Sequence, residues 1–286
     1  MKIGIGLPAM IPSATGSLIL EWAKKADASP FSSLAALDRI VFPNHEALTT
    51  LAAAAAVTNR IRLITTVLIA TIRKPAILAK QAATIDVLSN GRLTLGLGVG
   101  SRDSDFTAAP ASYHDRGKRM DAQLDLMKKI WSGEAVSDEI GPVGPKPVQK
   151  GGPELLLGGR AEAALKRAGR ASDGYIGGGS GDPAAVQAAF EIVKSARKEA
   201  GKSGEPRLVG TAYYALGPDA SAGADYIRQY YPAGPFGESA IKAILDTPER
   251  IKDTIKAFEA IGMDEFILWP TISNLDQFDR LVDVVA

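Results

Sequence analysis

Residues 61–100 read IRLITTVLIATIRKPAILAKQAATIDVLSNGRLTLGLGVG. Ile61–Val67 is a β-branched apolar run, which suits a strand. Pro75 opens the next segment, where its missing amide does no harm because the first amides of a helix have no partner inside the helix. Over Lys74–Val87, extending to Leu88, residues Ile77, Leu78, Gln81, Ile85 and Leu88 fall on or near one helical face. Arg92–Leu97 is a strand again. Strand, helix and strand within this short span predict a crossover unit, and a crossover makes the two strands parallel.

The same beat extends both ways. Upstream, strand patterns at Lys2–Leu7 and Ser32–Leu37 alternate with helical ones at Ser17–Asp27 and Glu46–Val57. Downstream, Arg116–Trp131 is helical, with Met120, Leu124, Met127 and Trp131 spaced for one face. Ser132–Gly152 is rich in Gly and Pro and reads as a connector. Strands then follow at Glu154–Leu157, Asp173–Ile176, Arg207–Leu216 and Glu265–Trp269, with helices at Ala161–Ala171, Pro183–Ala200, Pro248–Ile261 and Leu275–Val285. Eight such units predict a closed (β/α)8 TIM barrel formed by residues 1–286 as a single domain. The competing arrangement is two smaller α/β domains joined at Ser132–Gly152.

The charge is nearly balanced, with 33 basic and 32 acidic residues and a net charge of +1. No basic stripe is present, which argues against nucleic acid as a partner. Cysteine is absent, so disulfides, thiolate nucleophiles and cysteine metal sites are excluded together. The N-terminal stretch lacks the pattern of a signal peptide. The longest plainly apolar run, Leu51–Val57, is far short of the ~18 residues of a membrane span. The expectation is a cytoplasmic protein with no membrane partner.

In such a barrel the site forms where strands end, so the residues just after each strand are the candidates. Asp38-Arg39 follows the second strand: either a grip for a polar ring edge or a surface ion pair. Thr65-Thr66-Val67 ends the third, followed by Arg73 and Lys74, and Gly96, Gly98, Val99 and Gly100 end the fourth. Closely spaced glycines let a flat ligand approach the backbone. Gly158-Gly159-Arg160 leads into a helix after the fifth strand. Gly177-Gly178-Gly179-Ser180-Gly181 does so after the sixth, with Asp182 as the cap and Pro183 first in the helix. Free amides at helix starts suit an anion, so these two neighbouring starts are a candidate phosphate site. Asp182 stands where a hydrolase elbow needs glycine. The histidines are His45 and His114; His114 is either a general acid–base or a solvated residue at a helix start. Asp103, Asp105 and Asp115 share a loop and read as solvated, and no set of residues has metal-ligand spacing.

Several blocks together resemble the luciferase-like monooxygenase family, which includes deazaflavin (F420) enzymes. They are Asn59–Leu63 through Arg73-Lys74-Pro75, Ala79–Asp86, Ser89–Leu93 with Gly96–Gly100, Gly141–Pro145, Gly151–Gly159, and Ala168–Gly174. The resemblance spans nearly the whole chain. It implies a bacterial luciferase-like barrel with a flavin or F420 at its C-terminal mouth and Asp38 at the ring. It also implies a non-proline cis peptide at Thr66-Val67 behind the ring and Gly98-Val99 nearby. Gly158, Gly159 and Arg160 would lie at the cofactor phosphate, with Gly178 and Ser180 beside it. Many F420 members carry histidine directly after the aspartate, where this chain has Arg39, and the position after Gly98 is Val99. Both departures point away from a sugar-phosphate dehydrogenase. Arg39 is then a candidate to stabilise an anionic reduced flavin.

The expected activity is a two-component monooxygenase. Reduced FMN from a separate flavin reductase would act with O2 on a small organic substrate, and the resemblance implies a homodimer. Three alternatives stand: F420-dependent hydride transfer, in which Arg160 and Lys166 matter more; a non-catalytic flavin-binding protein; and a phosphate-binding lyase or isomerase. The loops Ser101–Asp115 and Tyr230–Ser239 are expected to cover the site, the second alternatively to pack on a partner subunit.

Overall fold

The computed structural model describes residues 1–178, 182–231 and 233–286. Nine strand segments form one parallel sheet: β1 (Lys2–Gly6), β2 (Ser33–Ala36), β3 (Arg62–Thr65), β4 (Leu68–Ile69), β5 (Leu93–Gly98), β6 (Glu154–Gly158), β7 (Gly174–Gly178), β8 (Arg207–Tyr214) and β9 (Glu265–Pro270). Their order is β3-β2-β1-β9-β8-β7-β6-β5-β4, and β5 also pairs with β3, which closes the ring. Register is continuous around it: Ile5 sits opposite both Leu34 and Leu268, and Leu97 opposite Leu157. Segments β3 and β4 are two halves of one stave, separated at Thr66–Val67, whose peptide is cis. Eight staves therefore make a (β/α)8 barrel.

The helices are α1 (Gly16–Asp27), α2 (Ala47–Val57), α3 (Pro75–Leu88), α4 (Asp103–Ala108), α5 (Arg116–Ser132), α6 (Glu162–Ala171), α7 (Pro183–Glu199), α8 (Gly223–Tyr230), α9 (Pro235–Lys242), α10 (Pro248–Ala260) and α11 (Leu275–Val285). The crossover helices bury their apolar faces against the outside of the barrel. Trp22, Leu51, Leu78, Met127 and Phe190 belong to that layer. The inside is filled by Ala35, Ile64, Leu156, Ile176, Val209, Ile267 and Trp269. Small residues make room for large ones: a Cβ on Gly6 would run into the Trp269 ring. The barrel is thus a packed core rather than a pore. At its N-terminal end Arg207 bonds Glu154 and Glu265, Ser32 bonds Glu265, and Arg62 joins Glu154 at 3.4 Å.

The segment over Tyr230–Ser239, expected as a loop, is the end of α8 and the start of α9. Isolated helices this short are marginal in water, so propensity does not reveal them. Tertiary packing holds them: Tyr226, Ile227, Tyr230, Ala240 and Ile244 form a separate apolar cluster with Met10 and Ile11 from the loop after β1. The loop over Ser101–Asp115 likewise contains α4. Within it Asp105, expected to be solvated, is 1% exposed and accepts hydrogen bonds from the amides of Ile40 and Val41. Asp103 and Asp115 are exposed. No helix among the described residues is long and apolar enough to cross a membrane.

The broken stave is held from outside by one carboxylate. Asp38 lies just past β2 with its side chain 1% exposed. Its Oδ2 accepts from the Ile69 amide at 2.8 Å and from Arg73 Nη1 at 2.6 Å, and its Oδ1 from Arg73 Nη2 at 3.0 Å. Arg73 also donates to Ile69 O at 3.0 Å and to Glu46 at 3.1 Å. Burial pushes the Asp38 carboxyl upward against the pull of Arg73. Burial also opposes the Arg73 charge, but Asp38 and Glu46 outweigh it and hold the guanidinium protonated. Breaking a buried pair by removing one charge is costly because the other stays buried. Asp38→Asn should therefore destabilise the protein by about 2–4 kcal/mol, less than a fully orphaned arginine because Glu46 remains. Urea unfolding checks this; an unchanged midpoint would mean that the pair does not hold the stave.

Candidate active site

A cavity of about 230 Å³ opens at the C-terminal mouth of the barrel. Its floor is the break in the third stave, Thr66 and Val67, together with Ile176 and Trp269 at the top of the packed interior. One side is Gly158, Gly159 and Arg160, where β6 turns into α6, with Gly177 and Gly178 of β7 beside them. The roof is Tyr230, Tyr231 and Phe236 from α8–α9. The short helices missed by sequence thus complete the site.

Each wall has a local cause. Thr66 donates its amide to Ala36 O at 2.9 Å, which ties the break to β2. Val67 needs glycine on both flanks: a Cβ on Gly98 would come 2.7 Å from one of its methyls, and one on Gly158 2.9 Å from the other. Gly159 has φ +154° and lies against Ala164, so a side chain there would be strained and would collide with α6. Its carbonyl accepts from the Tyr175 hydroxyl at 2.8 Å.

Two polar atoms in this wall are buried and have no hydrogen-bond partner among the described residues: Thr66 Oγ1 and Trp269 Nε1. Buried polar groups are nearly always satisfied, and both of these orphans belong to residues of this one wall, which makes them candidates to meet a ligand's polar edge. The indole can only donate, whereas the threonine hydroxyl can donate or accept. Around them the wall is mostly apolar or aromatic, with Arg160 and Thr211 as its other polar side chains. The tyrosines do not titrate near neutrality. Burial pushes the Tyr213, Tyr226 and Tyr230 phenols well up, and it raises Tyr231 too, against the hydrogen bond it makes with Tyr213. Tyr213 and Tyr231 join hydroxyls at 3.0 Å.

Of the residues singled out in the sequence, Thr66, Val67, Gly158, Gly159, Arg160 and Gly178 come together on this cavity. Gly98 supports Val67 from behind. Val99 packs on the outer layer, and its carbonyl accepts from Thr71 at 2.7 Å. Asp38 stands behind the wall with both oxygens taken. Arg39 is drawn away by Asp105, at 3.1 Å, and lines a neighbouring cavity. His114 is exposed at the start of α5, away from the cavity wall. Ser180 lies outside the described residues. Asp182 does cap α7, accepting from the Ala184 amide at 3.1 Å. That places a carboxylate at one of the two helix starts proposed for an anion, and leaves Arg160 as the cation on the cavity wall. Trp269 and Tyr213 were missed, although Trp269 ends the last expected strand, the position where barrel sites form.

A flat, largely apolar ring with one polar edge fits between this floor and roof, and its anionic tail would leave past Arg160. A second cavity, about 340 Å³, begins at Arg160, Gly177, Gly178 and Phe236 and follows α7 outward. A flavin or deazaflavin has this form.

Residues 1–269 match the family model described as luciferase-like monooxygenase. An FMNH(2)-dependent dimethylsulfone monooxygenase from Pseudomonas putida is 29% identical over 266 residues, covering 77% of this chain and 72% of that one. An F420-dependent glucose-6-phosphate dehydrogenase from Kribbella flavida is 30% identical over 224 residues, covering 72% of this chain and 66% of that one. Among solved structures, the monooxygenase RslO1 from Streptomyces bottropensis superposes with a TM-score of 0.82 at 22% identity, covering 99% of this chain and 97% of that one. With the match spanning residues 1–269, the chain belongs to the luciferase-like monooxygenases, a family of oxidoreductases that use a flavin or F420.

Proposed function

We propose that this chain is the oxygenating component of a two-component monooxygenase: it takes reduced FMN from a separate reductase and uses O2 to oxidise a small organic molecule. One observation carries the choice of oxygen chemistry over hydride transfer. Among the described residues, the cavity wall contains no carboxylate, imidazole or ammonium group, and the one carboxylate lining the neighbouring cavity, Asp103, is exposed at its rim. Hydride transfer between F420 and an alcohol or ketone needs a group to take or give the hydroxyl proton, with a pKa near the working pH. The phenols here are pushed the wrong way for that work.

When bound, the reduced flavin supplies the reaction with O2. The protein's own task is to bind, orient and keep water out. Val67 and Trp269 would support the ring, and Thr66 Oγ1 and the Trp269 indole, unpartnered among the described residues, would be available to its polar edge. Arg160 stands free of carboxylates among the described residues, with Phe236 under its guanidinium at 4.8 Å, and suits the phosphate. Tyr230 and Tyr231 shield the roof side from solvent, with Phe236, 48% exposed, at its edge.

Fluorescence titration of the purified protein with FMN, reduced FMN and F420 in parallel, followed by mixing with O2, tests the reading. Reduced FMN should bind at least about tenfold more tightly than F420. Tight F420 binding without FMN binding overturns the choice of cofactor, and no binding of either overturns both. A Thr66→Val variant separates ligand binding from folding. It removes a buried hydroxyl that has no partner, so the free protein should keep or raise its Tm, while reduced FMN should bind about three- to tenfold more weakly. Unchanged affinity would remove Thr66 from the ring edge.

A further inference from the structure

A second reactant needs space that the first cavity lacks. At about 230 Å³ that cavity is smaller than the usual ~300–1,000 Å³ of ligand sites, enough for a ring but not for a ring and a substrate. Directly across Tyr230 and Tyr231, which line both, lies a cavity of about 550 Å³ between the loop after β2, the start of α4 and the end of α8.

Its chemistry is that of an anion receptor. Arg39, 9% exposed at its side chain, lies on the wall. Its Nη2 donates to Val41 O at 2.9 Å and its Nε faces Asp105, but Nη1 is buried with no partner among the described residues. Phe42 and Tyr230 sit 5.9 and 5.5 Å from this guanidinium. Arg102 donates Nη1 to Tyr230 O at 2.8 Å and stacks on Tyr230 and Tyr231 at 4.5 and 5.2 Å. No carboxylate pairs with it among the described residues. Of the other charges here, Asp105 takes the two amides on Oδ1 while its buried Oδ2 lies 3.1 Å from Arg39 Nε with no hydrogen bond among the described residues, Arg228 pairs with Asp225 at 2.7 Å, and Asp103 is exposed at the rim. What remains is one uncompensated guanidinium and one orphaned donor group, both beside aromatic faces. Arginine's planar donors match a carboxylate.

We infer that this cavity holds the carboxylate of the substrate, with Arg39 and Arg102 as specificity-determining residues, so that the substrate is a small organic carboxylate. The carboxylate lies against Arg102 and Arg39 Nη1, and the apolar body lies along Tyr230 and Tyr231 toward the flavin. That the occupant is a substrate rests on the function proposed above; that the cavity binds a carboxylate does not.

Calorimetric titration of the full chain without cofactor keeps the two apart. The probes are benzoate and hexanoate, their neutral amides benzamide and hexanamide, and inorganic phosphate. At least one carboxylate should bind about tenfold or more tightly than its amide and than phosphate, as expected for hydrogen bonds to a charged group. Arg102→Gln should weaken it about tenfold, and Arg102→Lys should restore part of the loss. Circular dichroism establishes that each variant is folded. Arg228→Gln, at the exposed rim, tests the same wall without touching buried contacts and should change affinity less than threefold, a rim charge adding little. Equal binding of amide and carboxylate, phosphate as tight as carboxylate, or carboxylate affinity unmoved by Arg102→Gln would each overturn the assignment. Carboxylate binding together with failure to bind reduced FMN would leave this inference standing and remove the proposed function.

Discussion

The Asp38 carboxylate is the constraint on which the site depends. A regular third stave would run straight past the barrel mouth and leave no ledge. Here the stave breaks at Thr66–Val67, and the backbone after the break is tied to Asp38 through the Ile69 amide and through Arg73. The pair is buried, so it must be satisfied in full or not formed at all. With Asp38 and Arg73 in place, Val67 is fixed between Gly98 and Gly158 and becomes the floor on which a ring can rest. Asp38 therefore acts on the site at one remove. Its influence on a bound ring passes through the position of Val67, and its own oxygens are spent on the scaffold.

The second element is a roof assembled from chain inserted after β8. Helices α8 and α9 are short, and they take their stability from Met10, Ile11 and Ile244 rather than from their own sequence. Through Tyr230 and Tyr231 the roof divides the mouth into two rooms of opposite character. One is apolar, with Arg160 at its exit. The other is lined by arginine. Tyrosines that burial keeps neutral can serve as a partition without adding charge to either room. This division gives Arg39 a different setting from the one its place beside Asp38 suggests: adjacent in sequence, the two side chains diverge because Arg73 takes one and Asp105 the other.

The barrel was legible because strand-length apolar runs alternate with helix-length segments along the chain, although β2 (Ser-Leu-Ala-Ala) and β7 (Gly-Tyr-Ile-Gly-Gly) are not β-branched runs and α2 is apolar nearly all round. The glycines where β6 turns into α6 were legible too, since closely spaced glycines at a strand end have few other uses. What escaped was set by contacts between distant segments. Asp105 looked like one of three solvated acids, and only the fold shows the amides of Ile40 and Val41 arriving at it. Helices α8 and α9 contain Gly and Pro and are too short for periodicity to speak. Trp269 was visible as the end of a strand, but its unpaired indole, the feature that gives it a role, exists only once Gly6 has made room for the ring inside the barrel.

The central claim is that a flavin ring sits on Val67 with its polar edge at Thr66 and Trp269. The chain has three tryptophans: Trp131 donates its indole to Ala79 O at 3.0 Å, while the buried Trp22 and Trp269 indoles both lack a partner among the described residues, Trp22 within the outer layer and Trp269 in the cavity wall. Indole ¹⁵N–¹H NMR with added reduced FMN reads them separately. The account predicts a large shift of the Trp269 signal, with Trp22 and Trp131 nearly still. A saturating complex in which the Trp269 signal stays in place would contradict it.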